Sequence, residues 1–380
     1  MKKYLLSFAV MMMGSALLTG CLSDNDSDSG SGDQTVIVTE GALVVNNGSS
    51  YNGINGSLTY IDYKNDASRE ININLGGTPN DVMVYGDKVY VAGSDENTVF
   101  VLDRKTFNLI SKISTVGEMG AEEGAMPRAL EAWGSNVYVS TYGGYVGVID
   151  TLKLSIGNMY PVGSYPEGMA VSESEDGVPF LYVANSDYGN GNGSISTINL
   201  TSGSVSEFKN EKIKNPQKIA AGGGLLYVLD WGGYDENWNQ TGAGVYVVSG
   251  SNVQQLIPDA TGMAAGGYNI LTFNAPYGST TTTYSIYNAL YGSVSSFHLS
   301  GDTSSPIFSP AAISIDPNTG NVLIASRPKD PDTGYPSYAM PGYVNIYRSN
   351  GEFYKSYPVG VEPHAIAFTY TTAKYSDYLK

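Results

Sequence analysis

The chain has 380 residues and a formal net charge of −16, with one cysteine and two histidines. The acidic excess opposes binding to nucleic acid, because phosphate contacts need clustered Lys and Arg. One cysteine cannot form an intrachain disulfide, and two histidines cannot build a multi-histidine metal centre. With 46 glycines, 30 tyrosines and 15% charged residues, the composition favours strands and tight turns over helices.

The first 38 residues are predicted to be a leader and a tether. The chain starts with a short positive segment, and the apolar stretch 4–18 is too short to span a membrane. Small residues then lead to Cys21, which looks like the end of a bacterial lipoprotein signal. We therefore predict a signal peptide at residues 1–20, lipidation of Cys21, and a flexible tether at residues 21–38.

The tether begins with an acidic stretch, residues 23–28, that resembles the surface-export signal of Bacteroidetes lipoproteins. This resemblance implies an outer-membrane protein that is anchored by its lipid and exposed at the cell surface. The alternative is a solvated linker on a periplasmic lipoprotein.

Residues 39–372 are predicted to form one domain built from a repeated phrase. Each copy has a proline, a short apolar stretch, a Gly-bearing turn and an apolar strand with a central tyrosine, as in the copy that leads from Pro79 to Val89-Tyr90-Val91. The copies start roughly 40 to 50 residues apart, at Pro79, Pro127, Pro166, Pro216, Pro310 and Pro363. The double interval after Pro216 leaves room for a degenerate copy near Ala260, which makes about seven.

Each copy fits four short strands; in the copy from Pro79 they are predicted at 81–85, 88–92, 99–102 and 109–113. Seven such antiparallel units predict an all-β fold, a seven-bladed β-propeller of four-stranded blades. The domain begins in the second strand of a unit and ends with a first strand. The C-terminal strand is therefore expected to pair with the N-terminal blade and to close the ring. Residues 373–380 are predicted to be a C-terminal tail.

Three segments carry a resemblance to the YVTN-type propellers. They are Val89-Tyr90-Val91-Ala92, Leu181-Tyr182-Val183-Ala184-Asn185 and the Asp-Pro-Asn-Thr-Gly-Asn turn at 316–321. The resemblance covers residues 41 to about 370 and implies the propeller fold. It says little about function, because propellers host many activities.

The loops of such units fall on two faces of the ring, because an antiparallel chain reverses at every turn. Turns from first to second strands are short, whereas loops from second to third strands are long and rich in Tyr and Trp. We call the face with these loops the long-loop face. Long loops with aromatic, Gly, Ser and Asn residues are typical of binding surfaces. The predicted long loops are 46–56, 141–145, 185–193, 230–244, 274–292 and 326–342.

The candidate ligand-binding residues form two sets. The aromatic set comes from the long loops and comprises Tyr51, Tyr142, Tyr188, Trp231, Tyr234, Trp238, Tyr277, Tyr287, Tyr291, Tyr335 and Tyr338. The polar set comprises first residues of inner strands, which face the same rim near the central channel: Asn80, Arg128, Glu167, Gln217 and His364. The alternatives are long loops that pack on themselves and polar residues that only satisfy the channel wall.

No catalytic constellation is evident in the sequence. It has no Gly-x-Ser-x-Gly elbow with a matching histidine and no phosphate-cradling loop, and an acylated Cys21 is no nucleophile. We therefore expect no enzyme, no cofactor and no metal. Loop carboxylates leave calcium binding or acid–base chemistry open, namely Asp235, Glu236, Asp330 and Asp332.

The lipoprotein signal with its acidic tether, the segments 43–48 and 55–62, and the tyrosine-rich loops resemble the BtuG family. These are Bacteroides surface propellers that bind cobalamin. The resemblance implies capture of a corrinoid across the long-loop face, held by aromatic contacts and by hydrogen bonds to its amide side chains. It also implies delivery to a TonB-dependent outer-membrane transporter of the BtuB type. The residues alone leave open the capture of another ligand such as a glycan, a propeller lyase or hydrolase, and a structural surface-layer role.

Overall fold

The computed structural model describes residues 35–277 and 281–374. Seven four-stranded antiparallel sheets are arranged as the blades of a ring, which confirms the predicted seven-bladed β-propeller. The predicted signal peptide, Cys21, the tether up to residue 34 and the tail from residue 375 lie outside the described residues. Within the described part of the chain, no helix is long and apolar enough to cross a membrane.

The strands follow one another blade by blade, with the inner strand first in blades 2 to 7. Blade 1 begins with β1 (Thr35–Asn46), β2 (Ser57–Asp62) and β3 (Ala67–Glu70). Blade 2 contains β4 (Pro79–Tyr85), β5 (Lys88–Gly93), β6 (Thr98–Asp103) and β7 (Leu109–Ser114). Blade 3 contains β8 (Pro127–Trp133), β9 (Asn136–Thr141), β10 (Tyr145–Asp150) and β11 (Ser155–Pro161). Blade 4 contains β12 (Pro166–Glu173), β13 (Pro179–Asn185), β14 (Ser194–Asn199) and β15 (Val205–Lys209).

The later blades carry the insertions and the closing strand. Blade 5 contains β16 (Pro216–Gly222), β17 (Leu225–Asp230), the small hairpin β18 (Gly233–Tyr234) and β19 (Gln240–Thr241), β20 (Gly244–Ser249) and β21 (Asn252–Pro258). Blade 6 contains β22 (Gly262–Gly266), β23 (Asn269–Asn274), β24 (Thr283–Asn288) and β25 (Ser293–Ser296). Blade 7 contains β26 (Ser309–Ile315), β27 (Val322–Arg327), β28 (Pro341–Tyr347) and β29 (Phe353–Val361). The last strand, β30 (Pro363–Lys374), is the inner strand of blade 1, and the one α-helix among the described residues is α1 (Thr115–Met119).

Strand β30 closes the ring, as predicted. It pairs antiparallel with β1 from Thr35 opposite Lys374 to Asn46 opposite Pro363. The sheet is longer than predicted at both ends: residues 35–38 were expected to be tether and β30 continues two residues past 372. The reason at the N-terminal side is the run Val36-Ile37-Val38, since β-branched residues favour strands and here find a partner strand.

Each proline of the repeated phrase lies at the start of an inner strand and next to a β-bulge. The register between inner and second strand shifts directly after Pro79, Pro127, Pro166, Pro216 and Pro310, and at the start of β30. Proline has no N–H to give to the ladder, and a bulge bends the strand and redirects the extra residue. The residues that follow these prolines include the entire polar set, so the bulges position it.

Blade 6 is the degenerate copy predicted near Ala260. Its inner strand β22 lacks the proline and pairs with β23 without a register shift. A Cβ at Gly262 would lie 2.1 Å from the ring of Phe273, so the start of this strand accommodates glycine alone. The ring of redirected side chains therefore has a gap at blade 6.

The core lies between neighbouring blades, where the central tyrosines of the repeated phrase are packed. Tyr90 of blade 2 is fully buried in a cluster with Leu130 of blade 3. Tyr227 of blade 5 is fully buried in a cluster with Met263 of blade 6. The repeated part of the sequence is thus scaffold, and the differences between copies are left to the loops and to the first residues of the inner strands.

Candidate functional site

The long loops and the first residues of the inner strands lie on the same face of the ring. In blade 2, Pro79 at the start of the inner strand pairs with Gly93, Gly93 pairs with Thr98, and Thr98 pairs with Ser114. The loop between β5 and β6 therefore opens beside the start of β4. Since all blades share this pairing order, the long-loop face combines the two predicted sets of residues.

A cavity of about 290 Å³ lies on the axis of the ring, and residues of all seven inner strands line it. All five residues of the polar set are among them. Sequence reasoning missed two further charged residues of the wall, Asp81 and Lys218, each of which follows a polar-set residue by one position. The signal for them is the bulge, because an extra residue in the inner strand changes the strict alternation of sides. That any of these residues binds a ligand stays a prediction.

Arg128, Glu167 and Tyr142 form one hydrogen-bonded cluster at the cavity wall. Arg128 donates from Nε to Glu167 Oε2 at 2.9 Å, and Tyr142 donates from its hydroxyl to Glu167 Oε1 at 2.5 Å. The guanidinium also lies over the Tyr142 ring, 4.5 Å from its centroid. Burial, and then the Glu167 carboxylate, raise the pKa of Tyr142 far above its usual range. Both oxygens of the Glu167 carboxylate therefore accept from the protein.

Asp81 of blade 2 and Lys218 of blade 5 both line the cavity and interact electrostatically. The two oxygens of Asp81 accept the backbone N–H groups of Val82 and Leu130, both at 2.9 Å. Burial raises the pKa of Asp81 to about 6 against the opposing effect of these bonds and of Lys218. The protein around its side chain lowers the pKa of Lys218, which is nonetheless exposed to solvent, and Asp81 opposes this shift. The aspartate is thus held as an acceptor with both oxygens engaged.

His364, the first residue after the proline of β30, is a neutral imidazole in this wall. Burial, and then the charges of Arg128, Lys218 and Arg327, lower its pKa to about 3. A cationic imidazole would add a fourth positive charge to three others in a poorly hydrated place. The ring therefore stays uncharged through the physiological pH range and can both donate and accept one hydrogen bond.

Replacing His364 with Gln is expected to reduce the loss of stability on acidification. The unfolded chain takes up a proton at His364 near pH 6.5 and the folded chain near pH 3, so this group stabilises the fold above the first value and the contribution is lost towards the second. Between about pH 7 and about pH 5, the parent protein therefore loses about 2 kcal/mol of unfolding free energy through this group. Urea unfolding of both proteins across this range measures it; equal losses in the two proteins would contradict the assignment.

Tyr142 and Tyr188 of the aromatic set belong to a cluster of three rings between blades 3 and 4. The Tyr165 ring joins them, with its centroid 5.1 Å from Tyr142 and 5.0 Å from Tyr188. The Tyr188 side chain is 69% exposed. Such packed rings lose little conformational entropy when they contact a ligand, and this favours a binding surface over a mobile loop.

A second aromatic cluster comes from the hairpin β18–β19 of blade 5. Trp238 and Tyr277 both contact the Tyr234 ring, with centroid distances of 6.3 Å in each case. The Gln240 backbone N–H donates to the Tyr277 carbonyl, and the Tyr277 backbone N–H donates to the side-chain oxygen of Gln240. These two hydrogen bonds connect the loops of blades 5 and 6. Trp231 lies closer to the axis, lines the cavity, and donates from Nε1 to the Thr261 carbonyl at 3.0 Å. All four rings are exposed.

The remaining loop aromatics lie where blades 7 and 1 meet. Tyr51 and Tyr338 line a surface groove of about 450 Å³. Arg327 lies over the Tyr338 ring, 5.1 Å from its centroid, and is itself held by two hydrogen bonds to Glu362. Tyr335, on the same loop as Tyr338, is 74% exposed.

Two residues of the aromatic set are not in the predicted loop. The loop of blade 6 was predicted at 274–292, but β24 begins at Thr283 and ends at Asn288. Tyr287 therefore lies in a strand and is buried, with its ring 5.7 Å from Tyr227. Tyr291 lies in the turn from third to fourth strand, on the opposite face of the ring. The placement was wrong because the Thr- and Tyr-rich sequence of β24 lacks the apolar pattern of the other third strands.

The loop carboxylates hold their own loops together. Asp235 accepts the backbone N–H groups of Asn237 and Asn239, and Asp330 accepts those of Asp332 and Thr333. Among residues 35–277 and 281–374 there is no group of three or more His, Cys, Asp or Glu side chains that could hold a metal ion.

Comparison with known proteins supports the propeller fold. No family model matches the sequence, and no curated protein matches it. Among solved structures, a protein of Bacteroides uniformis ATCC 8492 with the provisional name 6-phosphogluconolactonase is 15% identical, with 87% of this chain and 100% of that chain covered and a TM-score of 0.57. A protein of Bacteroides fragilis NCTC 9343 with the same provisional name is also 15% identical, covering 87% and 98%, with a TM-score of 0.56. The WD40 repeats of RRP9 are 9% identical over 77% and 84%, with a TM-score of 0.55. At such identities the likeness shows the propeller fold alone.

Proposed function

We propose that this protein captures a corrinoid such as cobalamin on its long-loop face. The observation that carries the proposal is the arrangement of exposed aromatic side chains around a polar axial cavity. The rings come from the loops of blades 1, 4, 5, 6 and 7, and they include Tyr51, Tyr188, Trp231, Trp238, Tyr277 and Tyr338. Exposed tyrosine and tryptophan at such density are typical of surfaces that bind a ligand.

A corrinoid matches this surface in shape and in chemistry. Its macrocycle is broad and flat, so it can lie across the mouth of the cavity and contact rings from several blades at once. Its rim carries amide side chains, and Asn80, Gln217 and His364 supply amide and imidazole groups at the cavity wall. The wide spacing of the aromatic clusters supports a large ligand over a small one.

Binding accounts for the polar wall better than catalysis does. Glu167 has both carboxylate oxygens occupied by Arg128 and Tyr142. His364, with a pKa of about 3, is a weak base near neutral pH, where a general base needs a pKa close to the working pH. We therefore propose a binding protein without enzymatic activity.

The proposal includes the location and the partner. The lipoprotein signal ending at Cys21 and the acidic tether support a lipid anchor in the outer membrane with the propeller at the cell surface. The corrinoid is then passed to a TonB-dependent outer-membrane transporter of the BtuB type, which the resemblance to BtuG proteins supports. Protease digestion of intact cells tests the surface location, since a periplasmic protein would be protected.

Titration of residues 35–380 with cyanocobalamin, followed by calorimetry, is expected to show saturable one-to-one binding. Trp231→Ala is expected to weaken it roughly tenfold or more, because a large ring beside the cavity is lost. The matched control is Tyr291→Ala, which removes an exposed ring from the opposite face and should leave the affinity unchanged.

No association at micromolar protein would overturn corrinoid capture. Binding on a glycan array in place of cyanocobalamin, lost in Trp231→Ala and kept in Tyr291→Ala, would assign the same face to a glycan.

A further inference from the structure

The polar groups that line the axial cavity differ in whether they already have hydrogen-bond partners in the protein. The two carboxylates of its wall are fully engaged: Asp81 accepts two backbone N–H groups, and Glu167 accepts from Arg128 and Tyr142. The amide nitrogens of Asn80 and Gln217 donate to the protein, but the nitrogen groups of Lys218, Arg128 and His364 in the same wall are not fully engaged by the described residues. A ligand that satisfies these three nitrogen groups must therefore accept hydrogen bonds.

Lys218 is the first of these nitrogen groups. Its side chain lines the cavity, and although the surrounding protein lowers its pKa, the residue stays exposed to the solvent in the cavity. Within the described part of the chain, its ammonium group has no hydrogen-bond acceptor and no carboxylate within ion-pair distance, although Asp81 acts on it electrostatically. An ammonium group that lines a cavity and has no acceptor of its own is available for a charge-assisted hydrogen bond to a bound anion.

Arg128 and His364 supply the other two groups. Arg128 uses Nε for Glu167, and its two terminal nitrogens have no acceptor among the described residues. The imidazole of His364 likewise has no hydrogen-bond partner there. The three groups come from blades 3, 5 and 1 and line the same cavity of about 290 Å³, and Arg128 and Lys218 both act electrostatically on His364.

We propose that the axial cavity is a binding site for an oxyanion, the carboxylate or phosphate group of a small molecule, held by Lys218, Arg128 and His364. Charge-assisted hydrogen bonds from lysine and arginine to such a group are stronger than neutral ones. The site adjoins the three-ring cluster through Tyr142, over which Arg128 lies, but it does not depend on the corrinoid. A ligand seated on the long-loop face can use it, and so can a free anion.

The affinity of the site is expected to rise as the pH falls from about 7.5 to about 5.5. The charged groups of the wall are Asp81 on β4, Arg128 on β8, Glu167 on β12 and Lys218 on β16, with neutral His364 on β30. Arg327 acts on His364 from blade 7, and the lining residues of β22 and β26 are uncharged. Asp81, whose pKa is about 6, loses its negative charge across this range, so repulsion of an anion weakens.

The test uses the two histidines as reporters, in protein labelled only at histidine. The ring signals of His364 are followed by NMR while sulfate is added at constant ionic strength, with His298→Gln to assign the signals. Saturable movement of the His364 signals is expected, with a several-fold tighter midpoint near pH 5.5 than near pH 7.5. Acetate and inorganic phosphate then show whether the cavity prefers a carboxylate or a phosphate.

Lys218→Gln is expected to weaken the sulfate midpoint roughly tenfold, and Lys218→Arg to keep it within about threefold. Lys153→Gln, which removes a lysine that is 78% exposed on the ring surface, is the matched control and should change nothing. Absence of saturable movement, or the same midpoint in Lys218→Gln as in the parent, would overturn the site. Neither result decides the outcome of the cyanocobalamin titration, so the two proposals are tested independently.

Discussion

A chain that ends at Glu362 is expected to lose its cooperative unfolding transition. The deletion removes β30, which pairs with β1 along its whole length and forms the inner wall of blade 1. Ile366 and Phe368 then no longer pack on the cluster that contains Val44 and Ile61. The deletion also leaves β1 as an open edge next to the axis, and open strand edges promote aggregation. Urea unfolding followed by tyrosine fluorescence, together with size-exclusion chromatography, measures the loss.

A circular permutant is the matched control for this deletion. Thr35 and Lys374 are paired neighbours, so a short glycine linker can join them. Opening the chain between Gly86 and Asp87, in the turn from β4 to β5, keeps every strand. The permutant is expected to unfold cooperatively near the parent's midpoint. If the deleted chain did the same, the last strand would not be what holds the ring closed.

Replacing Glu167 with Ala is expected to lower the free energy of unfolding by about 3 kcal/mol. The change leaves the guanidinium of Arg128 without its carboxylate in a place where that side chain is 17% exposed. It also removes the acceptor of the Tyr142 hydroxyl. Both groups would be left in a protein environment that no longer satisfies them. Urea unfolding at neutral pH measures the difference.

Glu207→Ala is the matched control for this prediction. Glu207 forms an ion pair with Lys209 at 3.5 Å on the surface of blade 4, where the two side chains are 39% and 66% exposed. Its removal should cost at most about 0.5 kcal/mol. A double variant, Arg128→Leu with Glu167→Leu, should lose less stability than the sum of its single variants. Equal effects of Glu167→Ala and Glu207→Ala would show that the cavity water satisfies Arg128 as well as the carboxylate does.

The architecture was predictable because its signals are local and repeated. The phrase that starts at Pro79 marks both the first strand and, through Val89-Tyr90-Val91, the second one. Comparison of the copies also assigned the loops to a face, and this assignment follows from strand reversal alone. The number of blades and the closure by β30 came from the same count.

Blade 6 was read wrongly in part because its sequence lacks those local signals. Most residues of strand β24 are only partly buried, and it contains Tyr284 and Tyr287 where most other third strands carry Val, Ile or Leu. The burial of Tyr287 depends on contact with Tyr227 of blade 5, a neighbour that sequence order does not reveal. Lys218 was missed for a related reason: its direction is set by the bulge at β16, and a bulge is a property of two paired strands.

The gap at blade 6 gives the axial cavity a rotational polarity. A ring of seven identical blades would offer a ligand on its axis seven equivalent orientations. Here blades 1 to 5 present imidazole, charged or amide side chains to the axis, whereas blades 6 and 7 present Met263, Ala265, Ala312 and Ile313. A molecule with one hydrophilic and one hydrophobic edge therefore fits in a single orientation about the axis. The fold is built from repeats, but the cavity at its centre is asymmetric.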